Sequence, residues 1–197
     1  MELVIIIGFF FLGAIPFSVI ITKIWANIDI KKIQDGNPGA ANAWRVGGAK
    51  TGIPALLLDF LKGALPLAIL MNTSFVTISD WLLIAAALAP VLGHAFSPFL
   101  KGKGGKAVAV TFGIWSGLTY WEVPVVLGIC LGIFYIIQNQ DSWSIILANL
   151  AIPLYISWQG LPSIFCLIWL GTFFILIYKH FPELKIKPQF RFKKGRA

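Results

Sequence analysis

The sequence has little charge. Only 12% of the 197 residues are charged, against about 25% in an ordinary soluble domain. Acidic residues number 8 against 16 lysines and arginines, and there are two histidines and two cysteines. Two cysteines in separate apolar runs, Cys130 and Cys166, exclude a disulfide scaffold and a thiolate metal site and read as small apolar residues. No Gly-x-Ser-x-Gly elbow and no His-Glu-x-x-His pair occurs, which removes the serine-hydrolase and zincin readings. Neither histidine opens a His-x-x-x-x-Asp motif, since position 99 is Phe and position 185 is Lys. No cofactor and no metal site is expected.

Hydrophobic residues make up 58% of the chain. Several runs approach the ~20 apolar residues that cross a ~30 Å hydrocarbon core. Seven helices are predicted, at about 3–25, 51–71, 78–100, 107–121, 123–138, 143–159 and 161–178. The first is read as a retained helix, too long for a signal peptide and without a cleavage site. The fourth and fifth are short, either tilted spans or a re-entrant hairpin. The fold class is therefore all-α: a polytopic membrane helix bundle, with residues 1–197 as a single integral membrane domain.

Charge orients the bundle. Lys23, Lys31, Lys32, Arg45 and Lys50 follow the first run, and Lys101, Lys103 and Lys106 follow the third. Lys179, Lys185, Lys187, Arg191, Lys193, Lys194 and Arg196 follow the last. Seven traverses put all of these on one side and leave Glu2, Asp80 and Glu122 on the other. The positive-inside rule places the N-terminus outside and the C-terminus in the cytoplasm. The net charge of +8 is read as topology and attraction to membrane lipids, not as nucleic-acid binding.

Two cytoplasmic loops carry more than topology. The first, Asp35-Gly36-Asn37-Pro38-Gly39-Ala40-Ala41-Asn42-Ala43-Trp44-Arg45, combines glycines that let backbone N–H groups approach an anion with the amides of Asn37 and Asn42 and the guanidinium of Arg45. An ordinary interhelical turn competes with that reading. The second runs from Gly93-His94 to Lys103-Gly104-Gly105-Lys106. It is not a Walker A loop, because Lys106 precedes Ala107 where Ser or Thr is needed. A helix starting near Ala107 would aim its N-terminus at this loop, an end that favours anions. His94 at the end of the third helix is either structural or part of the site.

Inside the second helix, Asp59 and Lys62 share a face three residues apart. Each alone costs ~2.5–3.5 kcal/mol to insert, so they are expected to pair and support the site. In the third loop Ser142 is a hydrogen-bond donor or a helix cap. His180 after the last helix is an acid–base candidate or a partner of Glu183.

Gly36-Asn37-Pro38-Gly39-Ala40 with Asn42 and Arg45, Asp59-Phe60-Leu61-Lys62-Gly63-Ala64-Leu65-Pro66, and Gly93-His94-Ala95-Phe96 with Lys103-Gly104-Gly105-Lys106 resemble the motifs of the bacterial membrane acyl-phosphate:glycerol-3-phosphate acyltransferases. The resemblance covers nearly the whole chain. It implies acyl transfer from acyl phosphate to the 1-hydroxyl of glycerol 3-phosphate, giving lysophosphatidic acid for phospholipid synthesis, without metal or cofactor. Ser142 and His180 would lie at the acceptor. Gly36, Asn37, Gly39, Asn42, Arg45, His94, Lys103, Gly104, Gly105 and Lys106 would bind substrate. The enzyme is expected as a monomer in the bacterial inner membrane, with its site at the cytoplasmic face.

The chain departs from that family at Asp35, where serine is usual, at Ala41, where threonine is usual, and at Glu183, where asparagine is usual. Either lysines compensate the added carboxylates or the chain is a paralogue with a different polar acceptor. Asp35 is expected to turn from the phosphate and pair with Lys31 or Arg45. A transporter of phosphorylated metabolites is the other function class, although no internal repeat of the kind transporters carry is visible.

Overall fold

The computed structural model describes residues 1–33, 35–74 and 76–191. Lys193, Lys194 and Arg196 of the basic tail lie outside the described residues. Ten α-helices occur among those described: α1 Glu2–Ala14, α2 Phe17–Ala26, α3 Ala40–Gly47, α4 Ala49–Met71, α5 Asp80–Ala95, α6 Val108–Thr119, α7 Glu122–Ile137, α8 Asp141–Asn149, α9 Ala151–Gln159 and α10 Ile164–Leu184. The described residues form no strand, and Gln138 and Phe190 meet in an isolated antiparallel bridge.

Two runs predicted as continuous helices are each broken into a pair of α-helices, and a third, 78–100, stops at Ala95 before a separate 3-10 turn at Pro98–Leu100. The first parts at Ile15-Pro16 into α1 and α2, because proline has no N–H to donate and its ring displaces the preceding turn. The freed carbonyls find donors in neighbouring helices. Ser97 Oγ donates to Ala14 O at 2.6 Å, and Lys62 Nζ donates to Ile15 O at 3.1 Å. In lipid such partners are obligatory. The sixth predicted helix parts at Leu150 into α8 and α9, three residues before Pro153.

Among the described residues, four stretches are long and apolar enough to cross a membrane: Glu2–Ala26, Ala49–Met71, Asp80–Leu100 and Ile164–Leu184. Helix α6 has 12 residues and rises only ~18 Å at ~1.5 Å per residue. It lies at the centre, with Val110, Ile114 and Trp115 fully buried. Its closest partner is α4. A Cβ on Gly113 would strike the Phe60 carbonyl, and one on Gly117 would press on Ala64 O at 2.8 Å. The Gly113-x-x-x-Gly117 face thus lets two backbones touch, as small residues do between membrane helices.

Polar contacts sort the loops into two ends. Ser79 Oγ donates to Glu2, Tyr120 OH to Asn72 and Tyr155 OH to Glu122 at one end. At the other end Lys106 joins Asp35 and Glu183, Lys179 reaches Gly104, and Asn139 N donates to Gln189 O at 2.9 Å. Replacing Gly113 by leucine is expected to lower the thermal midpoint of the detergent-solubilised protein by far more than Gly132→Leu, since a Cβ at Gly132 meets nothing within 4 Å. Equal midpoints in the two variants would refute the close α4–α6 packing.

Candidate functional site

The site grows from a buried polar node between α2, α4 and α5. The Asp59 carboxylate accepts from Lys62 Nζ at 2.7 Å and from Ser18 Oγ at 3.0 Å. The expected Asp59–Lys62 pair is therefore formed, 2% and 3% exposed. His94 Nδ1 stands 3.6 Å from Asp59, too far for a hydrogen bond. The opposite edge of the imidazole supports the second loop. A Cβ on Gly105 would fall on His94 Nε2, and one on Gly104 would fall on His94 O. Gly105 N donates to that same carbonyl at 3.1 Å. Only glycine fits this seat. His94 is buried beneath the loop, and Gly104 and Gly105 are buried above it.

Lys179, which the sequence reading used only as a topological charge, fixes the loop from the other side. Its Nζ donates to Ala95 O and Gly104 O, both at 2.9 Å. It was hidden because a lysine at a helix end reads as a positive-inside signal. Its immediate neighbour His180 was the available hint. Lys103 stays exposed on the loop, while Lys106 turns inward.

The first loop is more ordered than a glycine-rich turn. Asp35 Oδ1 accepts from Asn37 N at 3.1 Å, closing an Asx-type turn. Gly36 takes φ +67°, the left-handed region open to glycine. Gly39 then caps α3, an amphipathic helix absent from the sequence reading. That helix puts Asn42 and Arg45 on one face. Asn42 Nδ2 donates to Asp35 at 2.7 Å and to Asn37 O at 3.0 Å, and Arg45 donates to Asn42 Oδ1 at 2.8 Å. The i, i+3 spacing of Asn42 and Arg45 was the signal that was missed.

The expected partner of Asp35 was wrong. Lys106 Nζ, and neither Lys31 nor Arg45, pairs with Asp35 at 3.0 Å, and the same ammonium pairs with Glu183 at 2.8 Å. The two acidic departures therefore share one cation from the second loop. The expectation failed because Lys106 lies 71 residues from Asp35, and only the fold brings them together. Burial raises the Asp35 pKa, but the hydrogen bonds from Asn42 and Lys106 outweigh it and leave the carboxyl below its ordinary value. Burial lowers the Lys106 pKa, but its bonds to Glu183 and Asp35 outweigh that and leave it raised.

Ser142 lies within the first turn of α8, whose N-cap is Gln140, so it is no cap. Its Oγ is 2.9 Å from His180 Nδ1. His180 is thus joined to Ser142 and not to Glu183. Both Ser142 and His180 are buried, and His180 Nε2 and Glu183 Oε2 have no hydrogen-bond partner among the described residues. Gln138, also unnoticed in the sequence, props this corner by accepting from Gln140 N at 2.8 Å and donating to Ser144 Oγ. The structure thus joins Asp35, Asn37, Asn42, Arg45, Lys106 and Glu183 in one network. His180, joined to Ser142, lies one helical turn before Glu183 on α10, and Lys103 stays exposed at the rim.

Among the described residues no group of three or more His, Cys, Asp or Glu side chains is placed to hold a metal ion. The fold and these loops define a helical integral membrane protein with a hydrogen-bonded, partly cationic site at one end of the bundle. The family model for glycerol-3-phosphate acyltransferase matches residues 3–186. Glycerol-3-phosphate acyltransferase 1 of Thermotoga maritima is 42% identical, over 94% of this chain and 95% of its own length. The glycerol-3-phosphate acyltransferase of Pelagibacter ubique is 35% identical, over 93% and 92%. The crystal structure of PlsY (YgiH), an integral membrane glycerol 3-phosphate acyltransferase, in its glycerol 3-phosphate form superposes with a TM-score of 0.83 at 31% identity, over 93% of this chain and 90% of that one. Its lysophosphatidic acid form gives a TM-score of 0.82. The chain belongs to the glycerol-3-phosphate acyltransferase family.

Because its pKa is lowered, Asp35 contributes stability through this network that is present above the unfolded value and lost as pH falls through the folded one. Carboxyl carbon NMR should place its midpoint below 3.8, and Lys106→Met should move that midpoint upward. A midpoint at or above 3.8 in the wild type would contradict the observed pairing.

Proposed function

We propose that this acyltransferase forms one integral membrane domain and moves a fatty acyl group from acyl phosphate to the 1-hydroxyl of glycerol 3-phosphate, releasing lysophosphatidic acid and inorganic phosphate. The observation that carries the reading is the meeting, at one end of the bundle, of the Ser142–His180 pair with the network of Asn37, Asn42, Arg45 and Lys106. Seven traverses, with α1–α2 and α8–α9 each crossing once, put this end in the cytoplasm, where the charge bias points. The enzyme acts as a monomer in the bacterial inner membrane. Membrane lipid suits its flank, where an apolar groove of about 600 Å³ lined by Ile5, Phe9, Phe17, Leu58 and Leu65 opens between α1, α2 and α4.

The donor is a mixed anhydride whose phosphate leaves readily, so positioning and charge stabilisation carry most of the rate. Arg45, Lys103 and Lys106 hold phosphate oxygens, and the turns at Gly36, Gly39, Gly104 and Gly105 bring backbone close. When His180 Nδ1–H donates to Ser142 Oγ, Nε2 is an acceptor for the proton of the attacking hydroxyl. The hydroxyl oxygen then bonds to the acyl carbon, and the carbon–oxygen bond to phosphate breaks. His180 passes its proton to the departing phosphate. His94, with Asp59 and Lys62, contributes by seating the second loop.

Purified protein in detergent, given acyl phosphate and labelled glycerol 3-phosphate, should form lysophosphatidic acid without a sealed compartment. Arg45→Ala, Lys103→Ala and Lys106→Ala should each lower kcat/KM by about tenfold to a hundredfold, the size of one charge-assisted contact of ~1.5–3 kcal/mol. His180→Ala should reduce kcat more than it changes KM. Three cation variants with wild-type kinetics would remove the phosphate site, and acylation of neutral alcohols in preference to glycerol 3-phosphate would remove the acceptor.

A further inference from the structure

The two acidic departures carry an inference that rests on the phosphate-site reading. A lysine ammonium has three N–H donors, and Lys106 already spends two of them on carboxylates. Asp35 is itself held as a bound anion would be. Three donors from different segments converge on its carboxylate: Asn37 N, Asn42 Nδ2 and Lys106 Nζ, at 3.1, 2.7 and 3.0 Å. The polar loop thought to cradle a phosphate thus cradles a side chain of its own. The two carboxylates differ in how firmly they sit. Asp35 is 41% exposed and is followed by Gly36 at φ +67°. Glu183 is 30% exposed, with its second oxygen buried at the end of α10.

We propose that Asp35 is an internal competitor for the phosphate subsite: its carboxylate occupies the Asn37–Asn42–Lys106 cradle in the empty enzyme, and the substrate phosphate binds by displacing it. Exchange is the electrostatically sensible route. A phosphate that entered beside both carboxylates would meet two like charges against one shared cation, whereas one that replaces Asp35 inherits three donors already aimed at an anion. Asp35 swings toward solvent, where it is already partly exposed, and Glu183 remains to hold Lys106 in place. Asp35 therefore sets the anion affinity of the site, and Glu183 is a positioning residue acting through Lys106.

Inorganic phosphate is the probe, read by its stabilisation of the detergent-solubilised protein against thermal unfolding, alongside the KM for glycerol 3-phosphate. Asp35→Asn keeps the side-chain shape and removes the competing charge. It should lower the phosphate concentration for half-maximal stabilisation at least threefold and lower KM by a similar factor. Asp35→Ser should do the same, which guards against a folding defect peculiar to one variant. Glu183→Gln leaves Asp35 in the cradle and should shift phosphate binding less than Asp35→Asn. Unchanged or weaker phosphate binding in both Asp35 variants, or no stabilisation of any protein by phosphate, overturns the proposal. Failure of the wild type to acylate glycerol 3-phosphate would instead count against the acceptor assignment, because the phosphate titration needs no turnover.

Discussion

The buried Asp59 carboxylate is the constraint on which the rest of the bundle depends. A carboxylate 2% exposed in a membrane helix must be fully partnered. Lys62 and Ser18 supply the partners. Lys62 in turn caps the carbonyl freed by the Pro16 break, so the pair also stabilises the chain interruption between α1 and α2. His94 completes the node from α5 and passes its position to Gly105. Removing one member of such a pair leaves a lone charge in the interior, at a cost of about 3–5 kcal/mol. The second loop is placed by helices buried below it, and the site inherits their rigidity.

Above that node the site is built from long-range pairs. Lys106 links the first loop to the end of α10, Lys179 ties α10 to the second loop, and His180 ties α10 to α8. Helix α10 is thus the strut against which the loops are registered. Asp35 and Glu183 show how a cationic site tolerates added negative charge. Both departures are absorbed by one lysine, so neither stands as an isolated charge.

The sequence showed the apolar runs and the Asp59–Lys62 pair, because length and i, i+3 spacing are local properties. It did not show the break at Pro16, since the run stays apolar on both sides and proline is tolerated in membrane helices. Helix α3 was hidden by the glycines around it, although Asn42 and Arg45 carried helical spacing. The partner of Asp35 was illegible for a different reason. Lys31 and Arg45 are near in sequence, while Lys106 becomes a neighbour only when α4 and α5 return the chain to the same end. Lys179 and Gln138 looked like ordinary loop-edge residues until their acceptors came into view.

The central claim is that the polar node beneath the second loop holds the site in place. Hydrogen–deuterium exchange read by mass spectrometry tests it on the peptide spanning 102–106, in the detergent-solubilised wild type and in Asp59→Asn. Weakening the node should speed exchange of this loop by more than tenfold while peptides from α6 keep their protection. Unchanged exchange in the loop of a folded Asp59→Asn protein would contradict the claim.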